Sequence, residues 1–169
     1  ARNYILQAKT FLDNFYSGRY ENIEELLPNE KFKLIEHDVR EPFDVKCDII
    51  FNLACPASPP DYQKDPIYTS ETNYLGMSNV LKCALKYGAK VLQASTSEVY
   101  GNPDENHHPQ KEDYFGNVNP NGIRSCYDEG KRIAEELCID YNMQYGLRTY
   151  IVRIFNTYGP YMRIDDGRV

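Results

Sequence analysis

The 169-residue chain has no apolar run long enough to cross a membrane, and it does not open on a basic stretch followed by an apolar one. A membrane-spanning or signal-led reading is therefore set aside, and a soluble, cytoplasmic protein is expected. Cys47, Cys55, Cys83, Cys126 and Cys138 are odd in number and none stands at C-x-x-C spacing. A disulfide framework or zinc site is thereby disfavoured, no metal is expected, and the thiols read as small buried or half-buried residues. A basic excess is also absent: the net charge is −6, where nucleic acid or an anionic membrane would favour a basic face. No internal repeat or low-complexity tract interrupts the chain.

What is present is the balance of a folded domain, 41% hydrophobic and 26% charged residues, in a length that suits one core. Five short β-branched or apolar runs predict strands: 9–13, 32–39, 47–54, 89–96 and 147–155. Segments 70–88 and 125–146 carry apolar residues at helical spacing and stop at Gly88 and Gly146. Runs such as DIIF and YIVRIF are apolar nearly throughout, which suits strands covered on both faces. Strands alternating with helices imply a parallel sheet with right-handed crossovers, a doubly wound α/β fold of Rossmann type. The Pro-, Asn- and Gly-rich stretches 55–66 and 101–124 read as the long loops where ligands sit in such folds.

The segment CYDEGKR places Tyr127 and Lys131 a helical turn apart, so an ammonium can lie near a phenol. Alone, such a pair is an ordinary solvated tyrosine. Here the predicted strand 89–96 delivers Thr96 to the crevice that this helix also faces. A hydroxyl, a phenol and an ammonium gathered there can take a proton from an alcohol, the positive charges favouring phenolate.

Taken together, DNFYSGR (13–19), HDVREPF (37–43), FNLACPASPPDYQKDPI (51–67), STSEVYG (95–101), HPQKEDYFGNVNP (108–120), RSCYDEGKR (124–132), RIFNTYGPYM (153–162) and DDGRV (165–169) form a specific signature. The chain resembles the extended short-chain dehydrogenase/reductases that act on nucleotide sugars, and within them the UDP-glucuronate decarboxylase (UDP-xylose synthase) family.

That resemblance implies roles position by position. Asp13, with Asn14 beside it, would hold the ribose hydroxyls of NAD; Asp38 would lie near the adenine amino group, and Leu53 and Ala54 along the cofactor. Thr96, Tyr127 and Lys131 match the catalytic hydroxyl, base and tuning cation, the last two also touching the cofactor. Glu98 matches an acid of the decarboxylation stage. Pro59, Tyr62, Arg124, Asn156 and Arg168 would position a UDP-sugar, Arg124 being a natural bidentate partner for a carboxylate. Ser97 stands where similar 4,6-dehydratases place an acid, which favours decarboxylation over dehydration, since a hydroxyl is a poor general acid. His107 and His108 are assigned to the surface.

Some positions depart from the family. Residues 1–12 contain no glycine, so the first strand, glycine-rich turn and helix are expected to be missing. The sheet would then show two unpaired inner edges and an apolar gap. The substrate region is expected to be incomplete, and Tyr161 replaces a common arginine. The whole is read as one partial NAD-binding domain over 1–169 with the beginning of the sugar-nucleotide region, and as a homodimer by analogy.

Overall fold

The computed structural model describes residues 10–160 and 162. Strands β1 (Thr10–Asp13) and β2 (Lys33–Glu36) pair in parallel, joined by two 3₁₀ turns, Tyr20–Asn22 and Glu24–Leu26. Strands β3 (Ile49–Asn52), β4 (Lys90–Thr96) and β5 (Thr149–Ile154) form a second parallel sheet in the order β3-β4-β5. Among the described residues no ladder joins β1 to β3, as the sequence reading anticipates for the inner edges. Arg168, Tyr161 and the glycine-free start up to residue 9 lie outside the described residues.

Helices α1 (Pro59–Lys64) and α2 (Pro66–Glu71) begin inside the stretch read from sequence as loop. Proline supplies a helical φ where an N–H would have no partner, and the Asp65 carboxylate accepts the Tyr68 N–H at 2.9 Å as the cap of α2. A π-helical turn, Thr72–Gly76, leads on into α3 (Met77–Tyr87). Long helix α4 spans Ser125–Tyr145. Gly88 and Gly146 terminate α3 and α4 at φ 66° and 67°, the left-handed conformation that glycine tolerates, and each following residue bonds back into its helix, Ala89 N to Ala84 O and Leu147 N to Tyr141 O.

The core lies on one side of the three-stranded sheet. Met77, Val80, Leu81 and Ala84 of α3 meet Ala134 and Cys138 of α4 over Val91 of β4. Both faces were expected to be covered. Instead Ile49, Phe51, Leu53, Tyr150, Val152 and Ile154 are exposed. Pleating sends alternate residues to opposite faces, and among the described residues helices lie on one face alone. The continuous apolar runs read as strands covered on both sides, and among the described residues one of those sides is uncovered.

Docking of the β2 end onto the helices carries the smaller sheet. Asn79 Nδ2 donates to Val39 O and Arg40 O at 3.0 and 2.9 Å, and Gly76 lets Val39 approach: a Cβ there would lie 2.8 Å from Val39 Cγ2.

Gly130 brings α4 against the π turn. A Cβ at Gly130 would lie 2.7 Å from Asn73 Nδ2, an amide pinned to Thr69 O and Cys55 Sγ. Helix propensity favours Gly130→Ala by about 1 kcal/mol, but the clash with a bonded amide outweighs it. We expect Gly130→Ala to destabilise the protein by about 1 to 3 kcal/mol, read as a lowered unfolding midpoint in urea.

Candidate active site

Strand β4 ends in Thr96, which caps the 3₁₀ turn Ser97–Tyr100 by accepting the Glu98 N–H at 3.2 Å. The same Thr96 hydroxyl lies close enough to the Tyr127 phenol to oppose the rise in its pKa. One turn along α4, Lys131 Nζ donates to Ala94 O of β4 at 2.9 Å and lies 5.7 Å from the Tyr127 ring centre. The three groups picked from the sequence thus meet at the carboxyl end of β4.

Tyr127 is 7% exposed, and its cover is Tyr62 of α1, whose ring stacks on it at 4.9 Å and 10°. The phenol is therefore screened by a helix rather than separated from Thr96 by the sheet. With a cationic nicotinamide bound beside the ammonium, the phenol was expected to move toward neutrality. Burial instead pushes it upward, a nearby Cys55 thiol adds to that, and the Thr96 hydroxyl opposes it. In the chain by itself, desolvation is the largest influence on the phenol.

Arg124 and Glu98, each expected to meet substrate, form an ion pair with one another. Beside them is a group the sequence reading missed. Asp128 is 9% exposed and its Oδ1 has no hydrogen-bond partner; burial first, then the Glu98 carboxylate, push its pKa up to about 6. Directly after Tyr127 in a charged helix it looks like a solvated acid, and nothing in the local sequence marks it otherwise. Tyr62 Oη is likewise buried without a partner.

A second cluster lines a cavity of about 160 Å³ bounded by Asp13, Asn14, Gly18, His37, Leu53, Ala54 and Cys55. Asp13 Oδ1 accepts the Phe15 N–H at 2.7 Å, and Asn14 Nδ2 donates to Tyr68 Oη and Asp38 Oδ2 at 2.7 and 3.1 Å. Asp38 is already held by Arg40, which also reaches Glu71 and lies over the Tyr68 ring. Burial pushes the Asp38 carboxyl up, but its hydrogen bonds to Arg40 and Asn14 leave it lowered. Cys55 belongs to this cavity and to the surroundings of Tyr127, so the two clusters adjoin.

Pro59 is half-buried at the start of α1, and Asn156 is exposed just past β5. His107 and His108 are exposed, His107 paired with Asp104 at 2.7 Å. All five cysteines are free, Cys83 and Cys138 buried and the others half-buried. No described helix is long and apolar enough to cross a membrane.

A family model described as the NAD dependent epimerase/dehydratase family matches residues 8–169. The chain belongs to this family. UDP-glucuronic acid decarboxylase 3 of Arabidopsis thaliana is 54% identical over 157 residues, 93% of this chain and 45% of that protein. UDP-glucuronic acid decarboxylase 1 of Xenopus tropicalis is 52% identical over 160 residues, 95% of this chain and 38% of that protein. Among solved structures, the dTDP-glucose 4,6-dehydratase DesIV of Streptomyces venezuelae, with NAD and TYD bound, superposes with a TM-score of 0.79 at 26% identity, covering 90% of this chain and 47% of that one. The chain spans less than half the length of these relatives.

Asp128 holds its proton more tightly when folded than its ordinary value of 3.8 allows. Its contribution to stability is therefore whole at pH values below about 4 and is lost as pH rises through about 6. Asp128→Asn, which never ionises, should raise the thermal midpoint at pH 7.5, by the equivalent of about 1 to 3 kcal/mol, and gain less at pH 4.5. Calorimetric melting at the two pH values checks this.

Proposed function

We propose that the chain is the catalytic part of an NAD-dependent UDP-glucuronate decarboxylase that makes UDP-xylose through a 4-keto intermediate. The observation that carries the reading is the meeting of Thr96, Tyr127 and Lys131 at the end of β4, in a chain more than half identical to decarboxylases of that name.

The cavity beside Tyr127 suits a dinucleotide. Asp13 stands at the tip of β1 where ribose hydroxyls would find a carboxylate, and Leu53 and Ala54 offer short apolar backbone on the opposite wall. Bound NAD would supply the acceptor for a hydride from the sugar C4 and later return it. Its positive ring is also the charge that would lower the Tyr127 phenol, which burial alone raises.

The chain's own groups divide the remaining work. Tyr127 takes the proton of the sugar 4-hydroxyl, Thr96 orients it, and Lys131, fixed by Ala94 O, supplies positive charge from beneath. The keto group so formed lies β to the C6 carboxylate, which is lost as CO₂. Tyr127 and Thr96 then donate hydrogen bonds to the enolate oxygen at C4 until C5 is protonated, with Glu98 close by. Arg124 receives the substrate carboxylate by leaving its pairing with Glu98.

A dehydratase reading is disfavoured by Ser97, which offers no acid at the head of the turn. A non-catalytic sugar-nucleotide binder would have the clusters without the turnover. We assign a homodimer to the outer faces of α3 and α4, where Leu85, Ile133 and Met143 are exposed. Neither nucleic acid nor membrane is assigned as a partner.

Incubating the full-length protein with UDP-glucuronate and NAD⁺ should yield CO₂ and UDP-xylose in equal amounts, and a sugar product without CO₂ overturns the reading. Tyr127→Phe should lower kcat by about 10² to 10⁴, and unchanged turnover would remove the tyrosine from its role.

A further inference from the structure

Among the described residues, the two buried side-chain oxygens without a hydrogen-bond partner both flank Tyr127: Asp128 Oδ1 from α4 and Tyr62 Oη from α1. Burying a carboxyl oxygen unpaired is costly, so its presence needs a reason. The charged groups that act on Asp128 are Glu98, from the turn after β4, and Arg124 and Glu129 on its own helix segment; Tyr62 faces it from α1. Lys131 is committed to the Ala94 carbonyl. Arg124 is the one cation among the groups that act on Asp128, and its present partner is Glu98.

We propose that Asp128 sets the charge against which a substrate carboxylate must bind, weakening the hold of Arg124 on that carboxylate before decarboxylation and so favouring the loss of CO₂. This rests on the reading of the site as a UDP-glucuronate decarboxylase. With substrate in place, Arg124 holds the substrate carboxylate within the field of two others, Glu98 and Asp128. When the C5–C6 bond breaks, its electron pair enters the enolate, whose charge rests on the C4 oxygen beside Tyr127 and Thr96. C6 departs as neutral CO₂, and Arg124 is free to pair again with Glu98, with the charge of Asp128 still acting on the site. The crowding is thus relieved along the reaction and not before it. At an effective dielectric of about 20, one like charge a few ångströms away changes such an equilibrium by about tenfold or more.

A residue needed only for packing would lose kcat and weaken binding together. Removing an opposing charge does the reverse on binding. In the full-length protein with NAD⁺, Asp128→Asn should lower kcat for UDP-glucuronate and lower its KM, each by about tenfold. Calorimetry should show the Kd of UDP-glucose, which lacks the carboxylate, unchanged, and Asp128→Glu should restore both constants. The unsubstituted protein gives an independent measure. Asp128 gains its proton near pH 6, so the affinity for UDP-glucuronate relative to UDP-glucose should rise between pH 7.5 and 5, and this rise should vanish in Asp128→Asn.

A raised KM in the variant, or an affinity ratio flat with pH in the unsubstituted protein, overturns the proposal. Binding of UDP-glucuronate without CO₂ release defeats the decarboxylase reading alone, since the affinity ratio still decides whether Asp128 opposes a bound carboxylate. Failure to bind UDP-glucuronate defeats both.

Discussion

The approach of the Tyr127 phenol to the Thr96 hydroxyl is the feature on which the site depends, because it brings the first turns of α4 to the end of β4. Thr96 takes part in it because its hydroxyl already caps the 3₁₀ turn at Glu98 N, which fixes its rotamer. Tyr127 takes part because α4 runs close enough to the sheet. Two features set that approach: Gly130, which leaves room for Asn73, and Lys131, whose amine reaches Ala94 O. Substituting either end of this arrangement moves a hydroxyl by the thickness of a side chain, and proton transfer does not tolerate such a displacement.

Charge and burial work against one another in the same crevice. Tyr62 covers Tyr127 so well that the phenol resists ionising, and Asp128 resists it too, with the Glu98 carboxylate adding to burial. The buried Asp128 carboxyl lowers stability at neutral pH, where the phenol is uncharged whether folded or not, and it is at functional sites that chains keep such groups. The single guanidinium of Arg124 does not neutralise two acids. On the proposed reading, the crevice would accept a proton at the phenol and part with negative charge beside the arginine, the two changes that an oxidation followed by loss of CO₂ requires.

Much of this was legible in the sequence where local chemistry decides the outcome. All five strands fall within the predicted runs, and Gly88 and Gly146 end their helices because a left-handed residue is needed there whatever the fold does elsewhere. Tyr127 and Lys131 were readable from helical spacing and Thr96 from its place at a strand end. Helix α1 was not, because the prolines of SPPDY signal a loop and a helix start equally well. Asp128 was hidden for a different reason. Its lack of a partner follows from where Glu98 and Tyr62 come to rest, 30 and 66 residues earlier in the chain, and no local pattern records that. The open sheet face escaped notice because an apolar strand looks the same whether its second side is covered or bare.

The cavity that would take the cofactor depends on a weaker kind of construction than the catalytic cluster. Its Asp13 wall belongs to the β1–β2 pair, and among the described residues no ladder connects that pair to the larger sheet. What positions it is the Val39–Arg40 segment, held by Asn79 through two carbonyls and by Arg40 through Glu71. Arg40 and Glu71 are only half-buried, so the ion pair adds little. The amide bonds and the close packing of Val39 on Gly76 carry most of the attachment. A ligand spanning from Asp13 to Cys55 would bridge the two sheets and add its own contacts to this joint. Binding there would stabilise the chain as well as place a reactive ring beside Tyr127, since a ligand held by the folded chain alone favours the folded state.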